Sequence, residues 1–391
     1  MVAAAVPVAI AVTMSWYGMY TFVNAFVIRG LGRSNQEWTS ATLWASGGMI
    51  FWYLASTEIS SRLGRRLTVT FGLAATAAAY AIMAFWRDML AVDLMLALMG
   101  YTTVANAAVW TSLVADANPD RPGRALALNV LVNTAVAFIS LLIGGQLIAE
   151  GNYPRTFLVI AAACGASAIA FHILASPLEK VERTKVVRML DVSRTDMAAI
   201  ARGPFLIIIF LGVCMDPFSF HTMNQLLPNL ARDMHGFTEA QTSMLVAIAR
   251  VPAIVALFAV SRMIDRANII RWYAIGLALD GVITILIGFA SGKATLAMGY
   301  LAYYAAHGLV WGTSIPAVNL CLPERVRDSG FAATWLMEIL AVFGVGVIQN
   351  RMLGAGAGLG ATFAACGIVL SITGAALLMY SYTAHSHRTP N

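Results

Sequence analysis

The sequence predicts an all-α integral membrane protein of twelve transmembrane helices, arranged as two pseudo-symmetric six-helix bundles. Composition, the number of long apolar runs and an internal repeat carry this expectation. The 391 residues are 59% hydrophobic and only 11% charged, with a mean hydropathy of +0.75, whereas a soluble domain usually has about 25% charged residues. A bilayer core takes roughly 20 mostly apolar residues per helix, and a helix satisfies its own backbone where no water can reach.

Twelve such runs are present: 4–28, 39–60, 67–86, 89–115, 125–149, 156–176, 204–231, 240–263, 270–291, 295–320, 330–350 and 359–383. Breaks as short as Arg87-Asp88 and Gly292-Lys293 make the flanking helices antiparallel neighbours. The first run lacks a basic leader and is too long for a signal core, so it is taken as a helix.

Basic residues in short loops stay on the cytoplasmic side. With the N-terminus inside, only seven of the 25 Lys and Arg lie outside, at 29, 33, 87, 155, 232, 293 and 351, and Arg250 stays within a span. Both termini are therefore expected in the cytoplasm and the chain in a cytoplasmic (inner) membrane. The net charge of +6 follows from this asymmetry and does not point to nucleic acid. Cys164, Cys214, Cys321 and Cys366 fall in or beside spans with no C-x-x-C spacing, as small buried apolar residues do.

The repeat appears in the loops. "SSRLGRR" (60–66) closes the second span and "IDRANIIR" (264–271) the eighth; "ADANPDRPGRALAL" (115–128) follows the fourth and "LPERVRDSGFAA" (322–333) the tenth. The copies are about 204 residues apart in both cases. The longest polar segment lies between them, giving an N-terminal bundle over 1–176, a basic cytoplasmic linker over 177–203 and a C-terminal bundle over 204–391.

The loop after the second span resembles the G-x-L-x-D-R-x-G-R-R signature of the major facilitator superfamily, with Arg62, Gly64, Arg65 and Arg66 in register. Span number, repeat and linker extend the resemblance over essentially the whole chain. Thr57 stands at the signature's first glycine and Ser61 at its aspartate, while the second copy keeps its acid as Asp265-Arg266. Glu58, one turn earlier, is a candidate replacement. The resemblance implies a cytoplasmic gate of Arg62, Gly64, Arg65, Arg66, Asp265 and Arg266. Plain positive-inside anchoring is the alternative reading of the arginines. Span five, "SLLIGGQL", retains only Gly144-Gly145 of the motif associated with drug and proton antiporters.

Charges inside a bilayer are costly, at least about 2.5 to 3.5 kcal/mol each at its centre, so each calls for a partner or a role. Asp216, Arg250, Asp280 and Glu338 all fall in the middle layer of the C-terminal half, about 12 to 18 Å from the nearer membrane edge at the helical rise. Pro217 follows Asp216, and Pro252 stands two after Arg250. Each proline frees a carbonyl beside a charge. Such breaks are frequent at transporter binding sites, though neighbouring helices also repair them in purely structural kinks.

The family resemblance implies that the first, fourth, seventh and tenth helices line the cavity, which makes Asp216, Asn224 and His307 cavity-facing. His221 sits at the edge of that face, and Asp280, on a supporting helix, is expected as a buried structural partner. Tyr17, Asn24, Tyr101, Asn106 and Trp110 are candidate contacts from the N-terminal half, with packing the plainer reading for the aromatics. Three carboxylates against one arginine leave an acid without a cationic partner, which is either a proton carrier or a protonated, hydrogen-bonded structural group.

Cys214, Met215, Asp216, His221 and Met223 cluster in span seven, so transition-metal transport is an alternative. Their angular spread and the lack of His-x-x-x-His or Met-x-x-x-Met spacing speak against a bound metal. No G-x-x-x-x-G-K-[ST] loop is present, and neither enzyme chemistry nor a cofactor is expected. The sequence therefore points to a secondary active transporter, expected as a monomer, with a small organic solute, protons and the lipid bilayer as its partners. A non-transporting receptor or assembly factor on the same scaffold is the alternative of another class.

Overall fold

The computed structural model describes residues 2–118, 122–177, 198, 204–263, 269–321 and 327–386. Among them the chain is helical with no strand, and ten helices are long and apolar enough to cross a membrane. These are α1 (Ala3–Gly30), α3 (Arg65–Phe85), α4 (Met89–Ala107), α5 (Leu128–Ala149), α6 (Tyr153–Leu174), α7 (Phe205–Met234), α8 (Glu239–Val260), α9 (Ile269–Gly288), α11 (Thr334–Gly354) and α12 (Leu359–Tyr382). Two further helices of 29 residues, α2 (Asn35–Leu63) and α10 (Lys293–Cys321), stand where the second and tenth spans are expected. Both are diluted by Ser, Thr, Trp, Tyr and Gly, which keeps them out of the ten.

Local sequence sets the helix ends. Ser34 Oγ accepts from the backbone N–H of Glu37, and Glu37 accepts in return from the Ser34 N–H at 2.9 Å, a reciprocal cap that starts α2. Asp88 caps α4 by accepting from the Ala91 N–H at 2.8 Å, and Thr238 with Gln241 repeats the reciprocal arrangement before α8. Gly64 joins α2 to α3 alone at φ +85°, a conformation that L side chains avoid, which accounts for the glycine in that register.

The Ser34 backbone N–H, then its hydroxyl, and more weakly Arg33, hold the Glu37 carboxyl below the usual carboxylate range. A depressed acid contributes stability above its unfolded value and loses it as pH falls through the folded one. The thermal stability difference between the wild type and Glu37→Gln is therefore expected at neutral pH and to vanish in acid. Ser34→Ala is expected to cost about 1 kcal/mol in the same measurement.

The chain forms two compact units, Met1–Met189 with Phe237–Ala247, and Leu190–Gly236 with Ile248–Asn391. In the first, α3 packs along α6, α2 along α4, and α1 against α5 and α6. The Tyr80 hydroxyl donates to the Met14 carbonyl at 2.9 Å, and Arg29 pairs with Glu239 at 3.2 Å. In the second unit α9 packs along α12 through small residues. A Cβ on Gly367 would lie 2.6 Å from the Gly281 carbonyl oxygen, and one on Gly288 equally near that of Gly360. Such close backbone approach is how helices associate where no hydrophobic effect drives them together.

Both prolines noted beside charges mark interruptions. The α-helical pattern of α7 breaks at Cys214, Met215 and Asp216 and resumes at Pro217, which has no N–H to offer the Val213 carbonyl. That of α8 breaks at Ala249, just before Arg250, where Pro252 withdraws the bond that Ile248 would accept.

Candidate functional site

The second unit gathers its buried charges around one imidazole. His307, on α10, is fully buried, and its Nδ1 lies 2.6 Å from Oδ2 of Asp280 on α9, itself fully buried. One proton sits in that bond, on Nδ1 or on the carboxyl. Asp216 Oδ1 lies 3.8 Å from the same Nδ1, and the Tyr303 hydroxyl 3.4 Å. A single ring nitrogen thus faces two carboxylates on different helices. Among the described residues, Asp280 Oδ1, Asp216 Oδ1 and His307 Nε2 have no hydrogen-bond partner, so the cluster keeps capacity for a further proton or ligand.

Aromatic rings enclose the imidazole. Phe220 stacks on it at 4.9 Å with planes 4° apart, Tyr303 stacks at 5.3 Å, and Trp311 meets it edge-on at 4.6 Å. Stacked rings turn their electron-rich faces toward the imidazole, the arrangement of a cation–π contact when the ring is charged.

Arg250, 1% exposed, lies with its guanidinium carbon 4.2 Å from the centre of the Tyr304 ring. The Tyr304 hydroxyl donates to Asn224 Oδ1 at 3.3 Å, and the Asn224 amide donates to the Phe220 carbonyl at 2.6 Å. Arg250 is near enough for its charge to act on His307, as Glu338 on α11 is for Asp216 and Cys214.

Glycines one turn away place these partners. A Cβ on Gly276 would lie 2.9 Å from Val310 Cγ2 and 3.2 Å from its backbone nitrogen. Gly276 is four residues before Asp280 and Val310 three after His307, so this close approach of α9 to α10 brings carboxylate and ring together. Gly308 does the same for α8: a Cβ there would meet Ala256 Cβ at 2.6 Å and the Ala253 carbonyl at 3.0 Å. Gly308 is one turn from Tyr304, and Ala253 one from Arg250. Gly276→Val is expected to part Asp280 from His307 and destabilise the unit by about 1 to 3 kcal/mol through overpacking, read by thermal unfolding.

Of the residues singled out from the sequence, Asp216, Asp280, His307, Arg250 and Asn224 come together, with Glu338 beside them. Asp280 is a buried partner, and the group it partners is His307. His221 is fully buried on α7, while the rings that contact His307 are Phe220, Tyr303, Tyr304 and Trp311. Tyr303, Tyr304 and Trp311 are absent from the sequence-derived set, although their spacing from His307, four before, three before and four after, sets them on one helical face. In the first unit the Trp110 indole donates to Asn129 at 2.9 Å and the Tyr101 hydroxyl to the Thr68 carbonyl at 3.2 Å, so both are engaged in packing. Asn24 is fully buried, and Asn106 and Tyr17 are partly so.

At the loop after α2, Arg62 pairs with Glu58 at 2.7 Å on an exposed helix face, Arg65 is buried, and Arg66 donates to His172 Nε2 at 2.9 Å. Asp265, Arg266 and nearly all of 177–203 lie outside the described residues. As for metals, Asp216, Asp280 and His307 hold ligand atoms within 4.8 Å of one another. Two carboxylates and an imidazole suit a divalent cation, but the 2.6 Å bond from His307 to Asp280 would have to yield its proton first.

Solved structures share this fold. A peptide transporter POT in complex with sulfate superposes with a TM-score of 0.74 at 14% identity, covering 98% of this chain and 94% of that one. The nucleoside transporter NupG gives 0.73 at 10%, covering 99% of each chain. The xylose transporter XylE from E. coli, in an inward open conformation, gives 0.72 at 13%, covering 96% and 94%. No curated protein sequence matches the chain. The sequence pattern of the Major Facilitator Superfamily matches residues 5–348, and the chain belongs to that superfamily.

Proposed function

We propose that the chain is a proton-coupled secondary transporter of a small organic solute in a cytoplasmic (inner) membrane, working by alternating access with both termini in the cytoplasm. The observation that carries the coupling is His307 Nδ1 set between Asp280 at 2.6 Å and Asp216 at 3.8 Å in a buried site. Asp280 sits on continuous α9, whereas Asp216 sits at the interruption of α7. A change at the Pro217 break alters the Asp216 to His307 distance while the Asp280 bond holds. Proton affinity then depends on conformation, the link that alternating access requires. The halves 1–176 and 204–391 move about the 177–203 linker, with Arg62 to Arg66 and Asp265-Arg266 at the cytoplasmic gate.

Proteoliposomes carrying a pH-sensitive dye test the coupling. A transported solute is expected to move protons with it, and transport without proton movement would contradict the reading. Single cysteines in 177–203 are expected to react with an impermeant thiol reagent from the cytoplasmic side only; labelling from outside would reverse the orientation. The 4.8 Å cluster of Asp216, Asp280 and His307 favours one second reading, in which a divalent cation is the cargo. It predicts Mn²⁺ or Zn²⁺ uptake that Asp280→Asn abolishes.

A further inference from the structure

We propose that this site takes a small organic anion, a carboxylate on a flat apolar body, received by Arg250 and bound together with a proton at the His307 cluster. The inference rests on the proton-coupled reading and adds the substrate class.

Arg250 is the group suited to receive the anion. It is a permanent cation held almost fully buried, a position costly enough to call for a role. Its guanidinium lies over the Tyr304 ring, and Tyr304 is itself held through its hydroxyl by Asn224. A guanidinium fixed in orientation presents the planar, two-pronged geometry that matches a carboxylate, so little ordering remains to be done on binding. Phe220 and Trp311, partly exposed and in contact with each other, form an aromatic wall that suits a flat apolar body.

The charges around the ring link anion and proton. The titratable and charged groups about His307 are Asp216 from α7, Arg250 from α8, Asp280 from α9, Tyr303 and Tyr304 from α10, and Glu338 from α11. An anion entering beside ionised carboxylates is repelled, and a proton bound there first lessens that repulsion. Arg250 in turn opposes the imidazolium, and an anion on Arg250 cancels that opposition. Each ligand therefore favours the other, and the coupling is reciprocal. The arrangement describes symport of an acid with a proton.

The test uses the full-length purified protein and three probes of one shape: benzoate, benzamide and benzylamine. Binding is measured by calorimetry at about pH 5.5 and about pH 7.5, where benzoate stays ionised. Benzoate is expected to bind with an affinity that rises about tenfold per pH unit toward acid, as linkage to one proton requires, and the other two are not. Arg250→Lys keeps the charge but loses the flat fork, and is expected to weaken benzoate at least about tenfold while eluting as folded protein in size exclusion. Stronger binding of benzamide or benzylamine, benzoate binding independent of pH or unmoved in Arg250→Lys, or no binding by any of the three overturns the anion class. The proton reading stands or falls separately, on the titration of the unliganded protein.

Discussion

Asp280→Asn is expected to lower proton-driven accumulation of solute by roughly 10²-fold or more, the scale of a positioned proton donor or acceptor, while exchange of solute for solute continues. Asparagine keeps the size of the side chain and an oxygen that can still accept from His307, but it cannot take up or release a proton. The 2.6 Å bond makes Asp280 the first proton partner of the imidazole, with Asp216 the second at 3.8 Å. Asp216→Asn is accordingly expected to show the same split with a smaller loss. Paired measurements of gradient-driven uptake and counterflow in proteoliposomes check this. Equal loss of both activities would make the cluster part of the binding site or of the fold rather than of the coupling.

Arg250→Ala is expected to be the most destabilising single change in the second unit. Removing the cation takes a permanent positive charge from beside His307 and strips the Tyr304 ring of its cover. Truncating a large, almost fully buried side chain to alanine costs about 2 to 5 kcal/mol, enough to remove most folded protein from a size-exclusion profile. Adding Asp216→Asn or Asp280→Asn to Arg250→Ala is expected to restore part of the folded yield without restoring transport. Recovery of transport as well would reduce Arg250 to a structural residue.

What was legible in the sequence was what local chemistry fixes. The spans follow from runs of apolar residues. The interruptions at Asp216 and Arg250 follow from a proline beside each. Gly64 was legible from its register in the "SSRLGRR" loop, and its positive φ in the structure accounts for the glycine there.

The pairing of Asp280 with His307 was not legible, because it depends on how α9 and α10 are rotated against each other. That rotation is set by the contact of Gly276 with Val310, two small or branched residues with no charge to draw attention. The same holds for Arg250 over Tyr304, which the contact of Gly308 with α8 arranges. A helical wheel of α10 would have shown Tyr300, Tyr303, Tyr304, His307 and Trp311 on one face. It could not have told which helix supplied the acid.

The buried cluster of His307, Asp280 and Asp216 is expected to exchange a proton with the medium in the working pH range, and infrared difference spectroscopy tests this without knowledge of the solute. Spectra of the purified protein are recorded between about pH 5 and pH 8, the window in which an imidazole ordinarily titrates. A carboxyl or imidazole band is expected to titrate in this window in the wild type, to shift in Asp216→Asn and to be lost in Asp280→Asn. A titrating spectrum that is identical in the wild type and both variants, or no titration at all, would contradict it.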